Sequence, residues 1–163
     1  MIKRPLLRYY PIAVRLEGAS ALVVGGGMVA QRKILSLLES GAKVKVISPH
    51  LTSDLAKLAK DKNIHWVCRR VQRKDIKDAA IAIAATDDNR VNERVSRWAR
   101  IEKITVNVVD KPALSSYISP AVFRTKQAIV AVYTDSRDPV LSRDLKNFLK
   151  EKWDVFLRYR DRS

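Results

Sequence analysis

Three stretches of this chain carry residue types and spacings that could do chemistry. In Ala21-Leu22-Val23-Val24-Gly25-Gly26-Gly27-Met28-Val29-Ala30, the pattern Gly25-x-Gly27-x-x-Ala30 fits the G-x-G-x-x-G/A fingerprint of a dinucleotide pyrophosphate site. Gly25 would allow the tight turn, Gly27 would let the backbone approach the pyrophosphate, and Ala30 would let the following helix pack closely on the strand. A helix opening at Met28 and Val29 would present free N–H groups and a partial positive charge to the phosphates. All five glycines of the chain lie between positions 18 and 41, so they are concentrated where such a turn needs them.

The second stretch is Asn107-Val108-Val109-Asp110-Lys111-Pro112, just past an apolar run. Asp110 could serve as a general base if a reacting proton lay within hydrogen-bond reach. Asp-Lys-Pro is also good turn chemistry, and from the residues alone the turn is the favoured reading. The third stretch is Thr86-Asp87-Asp88-Asn89, whose polar side chains could line a cleft, cap a helix, or do both. His65-x-x-Cys68 lacks a second close pair to complete a tetrahedral site, so no metal is predicted.

The elements that must position these residues alternate. Ser20–Val24 reads as a strand, residues 28–40 as a helix with Gly41 as its C-terminal stop, and Lys43–Ile47 as a second strand halted by Ser48-Pro49. Helical spacing follows over 51–60, capped by Thr52 or Ser53, and then a short strand over 64–67. Ala79–Ala85 has no polar face, as expected of a strand buried on both sides of a parallel sheet. A helix over about 90–102 and a fifth strand over 104–109 complete the alternation. The predicted class is therefore α/β, a Rossmann-type doubly wound parallel sheet with its ligand at the carboxyl ends of the strands.

After Pro112 the pattern changes. Tyr117-Ile118 and 128–133 read as strands without a crossover helix between them, and Pro139 opens a helix capped by Asp138 that runs on towards Trp153 and Phe156. Two strands and a helix bury little by themselves, so this segment must pack on the first domain or on a second subunit. The expected division is a nucleotide-binding domain over 1–113 and a small α+β segment over 114–163.

Composition bounds the remaining possibilities. The chain has 163 residues, 47% of them apolar, enough for a sizeable core. No apolar run approaches the ~20 residues that span a bilayer, and no signal-peptide core follows the basic start. With Cys68 as the single cysteine there is no disulfide framework, and a cytoplasmic location is expected. A net charge of +15 points to an acidic partner. Basic residues are not interleaved with aromatics as in single-strand binders, so nucleic acid is disfavoured.

Taken together the motifs resemble the precorrin-2 dehydrogenase / sirohydrochlorin ferrochelatase family, the NAD-dependent siroheme-synthase module. The resemblance rests on Tyr10-Pro11-Ile12, Val23–Lys33, Gly41-Ala42-Lys43-Val44, Ser48-Pro49 and Ala84–Asp88. It continues through Val91-Asn92, Asn107–Pro112, Ser119-Pro120-Ala121 and Pro139-Val140-Leu141-Ser142, nearly the whole chain in order. It implies NAD⁺ as hydride acceptor, precorrin-2 as an octacarboxylate substrate, and a homodimer formed by the segment after the nucleotide domain. In some members it also implies iron insertion. A polycarboxylate substrate would account for part of the basic charge.

On this resemblance Asp110 becomes the acid/base. The cofactor would lie on Gly25, Gly27, Met28, Val29, Ser48, Pro49, His50, Thr86 and Asp87. No acidic residue follows the second strand to hold a ribose 2′-hydroxyl. Ser48 and nearby backbone would take that part, while Lys43, Lys45 and His50 would also suit NADP. The family's substrate-side loop has a hydroxyl residue, Gly-Gly, a variable residue and Ser-Pro, whereas this chain has Thr134-Asp135-Ser136-Arg137-Asp138-Pro139. Thr134 keeps the hydroxyl and is the expected substrate contact. Asp135 and Ser136 are expected to forfeit an easy positive φ and to add negative charge. Two readings compete with this one: a nucleotide-sensing regulatory module that binds nucleic acid through its basic surface, and a dehydrogenase of another acidic substrate.

Overall fold

A computed structural model describes residues 9–109, 111–135 and 137–160. The chain divides into two compact units, one over residues 12–117 and one from Ile118 onward, with residues 9–11 grouped with the second.

The first unit is built on five parallel strands, β1 (Ser20–Val24), β2 (Lys43–Ile47), β3 (His65–Val67), β4 (Ile81–Ala84) and β5 (Thr105–Val108). Their spatial order is β3-β2-β1-β4-β5, which places β1 at the centre and the chain reversal beside it. Helices α1 (Met28–Glu39), α2 (Ser53–Lys60) and α3 (Asn89–Ile101) connect them. β1 shows why the sheet is covered on both sides: Ala21 and Val23 join one buried cluster with Ile34 and Leu37 of α1 and Leu55 of α2. Leu22 and Val24 join another with Val95 and Ala99 of α3. Helix α1 ends where Gly41, at φ +74°, turns the chain, with Gly41 N donating to Leu38 O and Ala42 N to Leu37 O.

β2 alternates lysine and valine, and the structure uses that alternation. Val44 and Val46 are buried, while Lys45 sits on the opposite face, 3.6 Å from Asp75. Asp75 is itself buried. It accepts Arg69 Nη1 and Nη2, each at 2.7 Å, and Gln72 N at 2.8 Å, which ties down the connection from β3 to β4. The Arg69 guanidinium, more than any other group, lowers the Asp75 pKa to about 2.

β5 is an edge strand, and side chains close its edge. Ser116 Oγ accepts Val106 N and Ser115 Oγ accepts Val108 N, each at 2.8 Å, and Asn107 Nδ2 donates to Tyr117 O at 3.1 Å. This corrects the strand predicted at Tyr117-Ile118. Residues 115–117 run beside β5, where Ser116 N donates to Val106 O at 2.8 Å and hydroxyl and amide side chains make the other links.

The second unit holds an antiparallel pair, β6 (Ala121–Arg124) and β7 (Ile129–Val132), with α4 (Pro139–Glu151) packed on both strands. The strand that precedes β7 therefore starts after Pro120, not before it. Asp138 Oδ1 caps α4 by accepting Leu141 N at 2.7 Å, and Pro139 occupies the first turn, where no N–H is needed. The long C-terminal helix of the sequence reading is two helices, α4 and α5 (Trp153–Arg160), parted at Lys152.

Candidate functional site

The sheet brings the carboxyl ends of β1, β2 and β4 together around the glycine turn. Gly25 N donates to Ile47 O at 3.0 Å, Thr52 N donates to Gly26 O at 3.0 Å, and Ala85 N donates to Val24 O at 2.8 Å. The three consecutive glycines have three different reasons. Gly25 has φ +121°, and a Cβ there would lie 2.2 Å from Ala85 O. A Cβ on Gly26 would lie 2.0 Å from His50 O, because the loop after β2 passes directly over it. A Cβ on Gly27 would meet nothing within 4 Å, so packing within the chain does not account for that glycine.

The start of α1 explains what the space is suited to. Gly27 occupies the N-cap and gives no side-chain hydrogen bond, and the first turn carries no acidic residue. In contrast, Thr52, Asp88 and Asp138 cap α2, α3 and α4 through side-chain oxygens. The N–H groups of the first turn of α1 thus face a site with room for a close approach by an anion. Met28, first in the helix, is 65% exposed beside it, and Val29 is half-buried. Ala30 is fully buried against the sheet. A dinucleotide pyrophosphate suits this opening in charge and in space.

The corner after β2 forms one wall. Ser48 is buried, its Oγ donating to His50 O at 2.7 Å, while Pro49 and His50 are exposed. Trp66 Nε1 donates to Ser48 O at 2.9 Å from the neighbouring strand. The hydroxyl proton of Ser48 is therefore spent on shaping the corner. Of the two lysines expected near it, Lys43 opens β2 and so lies about 13 Å along the strand from Ile47. Lys45 points to Asp75.

Thr86 and Asp87 follow β4 at the same edge. Thr86 is gripped by buried Asn92: its N and Oγ1 both donate to Asn92 Oδ1, at 3.2 and 2.7 Å, and Asn92 Nδ2 returns to Thr86 O at 2.8 Å. The helix cap itself is Asp88, which accepts Arg90 N and Val91 N. Asp87 is exposed. Asp110 lies outside the described residues. Its neighbours are held at the end of β5, Val109 N donating to Ala84 O and Lys111 N to Val108 O.

Two supporting residues escaped the sequence reading. Gln31 is buried on α1, its Oε1 accepting Thr52 Oγ1 at 2.6 Å and its Nε2 donating to Asp54 Oδ2 at 2.9 Å. It fastens the start of α2, and through Thr52 the corner, to the turn helix. The available signal was a polar residue within the apolar spacing of α1. Asn92, which the sequence offers only as half of the Val91-Asn92 motif, is the clamp on Thr86.

Thr134 belongs to the second unit, where its Oγ1 donates to Asp138 O at 2.7 Å and its carbonyl accepts Arg137 N. The expectation that Asp135 would forfeit positive φ is corrected, since Asp135 sits at φ +57°. Aspartate tolerates the left-handed region better than most residues. Its charge is also matched, with Arg137 Nη2 3.1 Å from Asp135 Oδ2.

Strand order, the glycine turn and the uncapped helix define a dinucleotide-binding Rossmann-type domain. Residues 12–121 match the family model described as "Putative NAD(P)-binding", and the chain belongs to that family. It is 39% identical to the siroheme synthase of Pseudomonas entomophila (strain L48) over 145 residues, 89% of this chain and 31% of that protein. It is 41% identical to the siroheme synthase of Ectopseudomonas mendocina (strain ymp) over 138 residues, 84% of this chain and 29% of that protein. The chain thus spans about a third of the length of these curated relatives. Among solved structures it is similar to SirC, precorrin-2 dehydrogenase, with a TM-score of 0.75 and 27% identity, covering 88% of this chain and 71% of that one.

Proposed function

We propose that this protein is an NAD-dependent dehydrogenase that converts precorrin-2 to sirohydrochlorin. The observation that carries the reading is the open, uncapped glycine cradle at Gly27, in a chain similar along 88% of its length to a precorrin-2 dehydrogenase. NAD⁺ supplies a hydride acceptor and takes no proton. The turn N–H groups of α1 hold the pyrophosphate, with Met28 and Val29 beside it, while Ser48, Pro49 and His50 border the adenosine end and Thr86 and Asp87 the opposite wall. Dehydrogenation releases a proton for each hydride, and Asp110, just beyond β5, is the carboxylate proposed to receive it. Thr134 is the proposed substrate contact in the second unit.

The proposed assembly is a homodimer formed through the segment after residue 113. Its support is the row of exposed apolar side chains on α4 and α5, including Leu141, Leu145, Phe148 and Phe156. Among the described residues, no helix is long and apolar enough to cross a membrane.

The test is anaerobic incubation with precorrin-2 and NAD⁺, following NADH formation and the absorbance of the macrocycle. Asp110→Asn should bind NAD⁺ as the parent does and lose turnover by about 10²-fold or more. Near-parental turnover by that variant would return Asp110 to a turn role. Absence of turnover by the parent would reject the dehydrogenase reading itself.

A further inference from the structure

The first unit has a cavity at the end of the sheet opposite the glycine turn. Ser20, Lys43 and His65 line it, and they are the first residues of β1, β2 and β3. Ala56, Ala59 and Lys60 of α2 line it from the helix side. Its volume of about 920 Å³ lies within the ~300–1,000 Å³ range of small-molecule sites.

The charge in this lining has one sign. Lys43, Lys45, Lys60 and Lys62 contribute to it together with His65, and among the described residues no carboxylate does. Lys45 is 3.6 Å from the buried Asp75, whereas Lys43, Lys60 and Lys62 have no ion-pair partner among the described residues. Asp61, between two of these lysines in the chain, is exposed and outside the lining. The carbonyl end of α2 favours Lys60 and Lys62 by itself, but Lys43 comes from β2 and gains nothing from that helix.

The rest of the lining is mostly apolar, with Val44, Ala59, Ile64 and Trp66 among it. Trp66 is 37% exposed, and its Nε1 donates to Ser48 O at 2.9 Å. That bond holds the indole in one orientation, so a flat ligand would meet a face already in place.

We propose that this cavity is a second binding site, and that its ligand is a planar polycarboxylate. Cations gathered without counter-charges attract a polyanion, and the immobilised indole among small apolar side chains favours a flat apolar body carrying the carboxylates. The site lies at the amino ends of the strands and the glycine turn at their carboxyl ends, so this ligand and a nucleotide bind together. The proposal goes beyond the dehydrogenase reading and depends neither on turnover nor on Asp110.

The experiment is calorimetric titration of the full chain with pyrene tetracarboxylate, with and without saturating NAD⁺. Citrate is the comparison, since it has carboxylates but no flat apolar body. The pyrene compound should bind with a Kd of about 0.1 mM or tighter, equally in both conditions, and citrate at least about tenfold more weakly. Lys43→Glu combined with Lys60→Glu should weaken the pyrene compound by about tenfold or more, with NAD⁺ affinity unchanged. Arg97→Glu combined with Lys150→Glu changes net charge equally at exposed positions elsewhere and should weaken it by less than about threefold. If the first pair lowers the melting temperature, Lys43→Gln with Lys60→Gln makes the same comparison, with a loss of about threefold or more expected. Equal losses in the two double variants would reduce the binding to attraction by net charge and overturn the proposal. Displacement by NAD⁺, citrate binding as tight as the pyrene compound, or no binding of the pyrene compound would each overturn it as well.

Discussion

The two units of this chain treat their apolar side chains in opposite ways. In the first, β1 is buried on both faces, and Ile34, Val46, Leu55 and Val95 are each 0% exposed. In the second, α4 turns Ser142, Lys146 and Leu149 towards cover and leaves Leu141, Leu145 and Phe148 at 53%, 41% and 55% exposure. Those three lie at i, i+4 and i+7, a continuous helical stripe. Val155 and Phe156 of α5 are similarly exposed. The lesson is that one amphipathic pattern can serve two ends. A stripe that meets a sheet closes a domain, and one that meets solvent leaves an apolar surface open.

The largest effect expected from breaking this contrast is on stability. Ile34→Ala removes a fully buried side chain and should cost about 2–5 kcal/mol in urea unfolding. Phe148→Ala, on the exposed stripe, should change the unfolding of an isolated chain by less than about 0.5 kcal/mol while weakening self-association measured by light scattering. Equal destabilisation by the two variants would erase the distinction.

A second test addresses the one glycine of the turn whose Cβ position is open. Gly27→Asp should leave the melting temperature within a few degrees of the parent, since its Cβ meets nothing within 4 Å. NAD⁺ affinity should fall on the order of 100-fold, because the carboxylate faces the pyrophosphate, and calorimetry measures that loss. Parental affinity would show that the space at Gly27 is not the binding cradle.

The smallest expected effect concerns acid. The Asp75 pKa is lowered to about 2 by Arg69, so its pairing stabilises the folded state above its unfolded pKa of about 3.9. That contribution, about 2 kcal/mol, is lost as pH falls from about 4 towards 2. Asp75→Asn should flatten this part of the stability profile in the first unit. The exposed helices of the second should show no counterpart.

Much of the first unit was legible because its signals are local. Strand β1 and strand β2 stand where the β-branched runs placed them, and Gly41 ends α1 as a residue free to take positive φ. Thr52 and Asp88 cap their helices through their own side chains, an interaction spanning two or three residues. The stretch after Pro112 was less legible. Tyr117-Ile118 has the composition of a strand, but Tyr117 O accepts the Asn107 side chain, and the Val106 and Val108 N–H groups donate to the Ser116 and Ser115 hydroxyls. Asp135 shows that the loss of a glycine need not abolish positive φ when the replacement tolerates it.

The order of strands and helices, the fingerprint Gly25-x-Gly27-x-x-Ala30, the helix stops and the family resemblance were all determined by the sequence alone, since each depends on residues close together or on their order. Tertiary structure decided which glycine does what. Gly26 is required because His50 O, 24 positions away, passes over it, whereas a Cβ on Gly27 would meet nothing within 4 Å. It likewise decided that Ser48 spends its proton within the corner, that Lys45 serves Asp75, and that Gln31 joins α1 to α2. Such pairings follow from which distant segments the sheet brings within a few ångströms, and spacing along the chain carries no record of that.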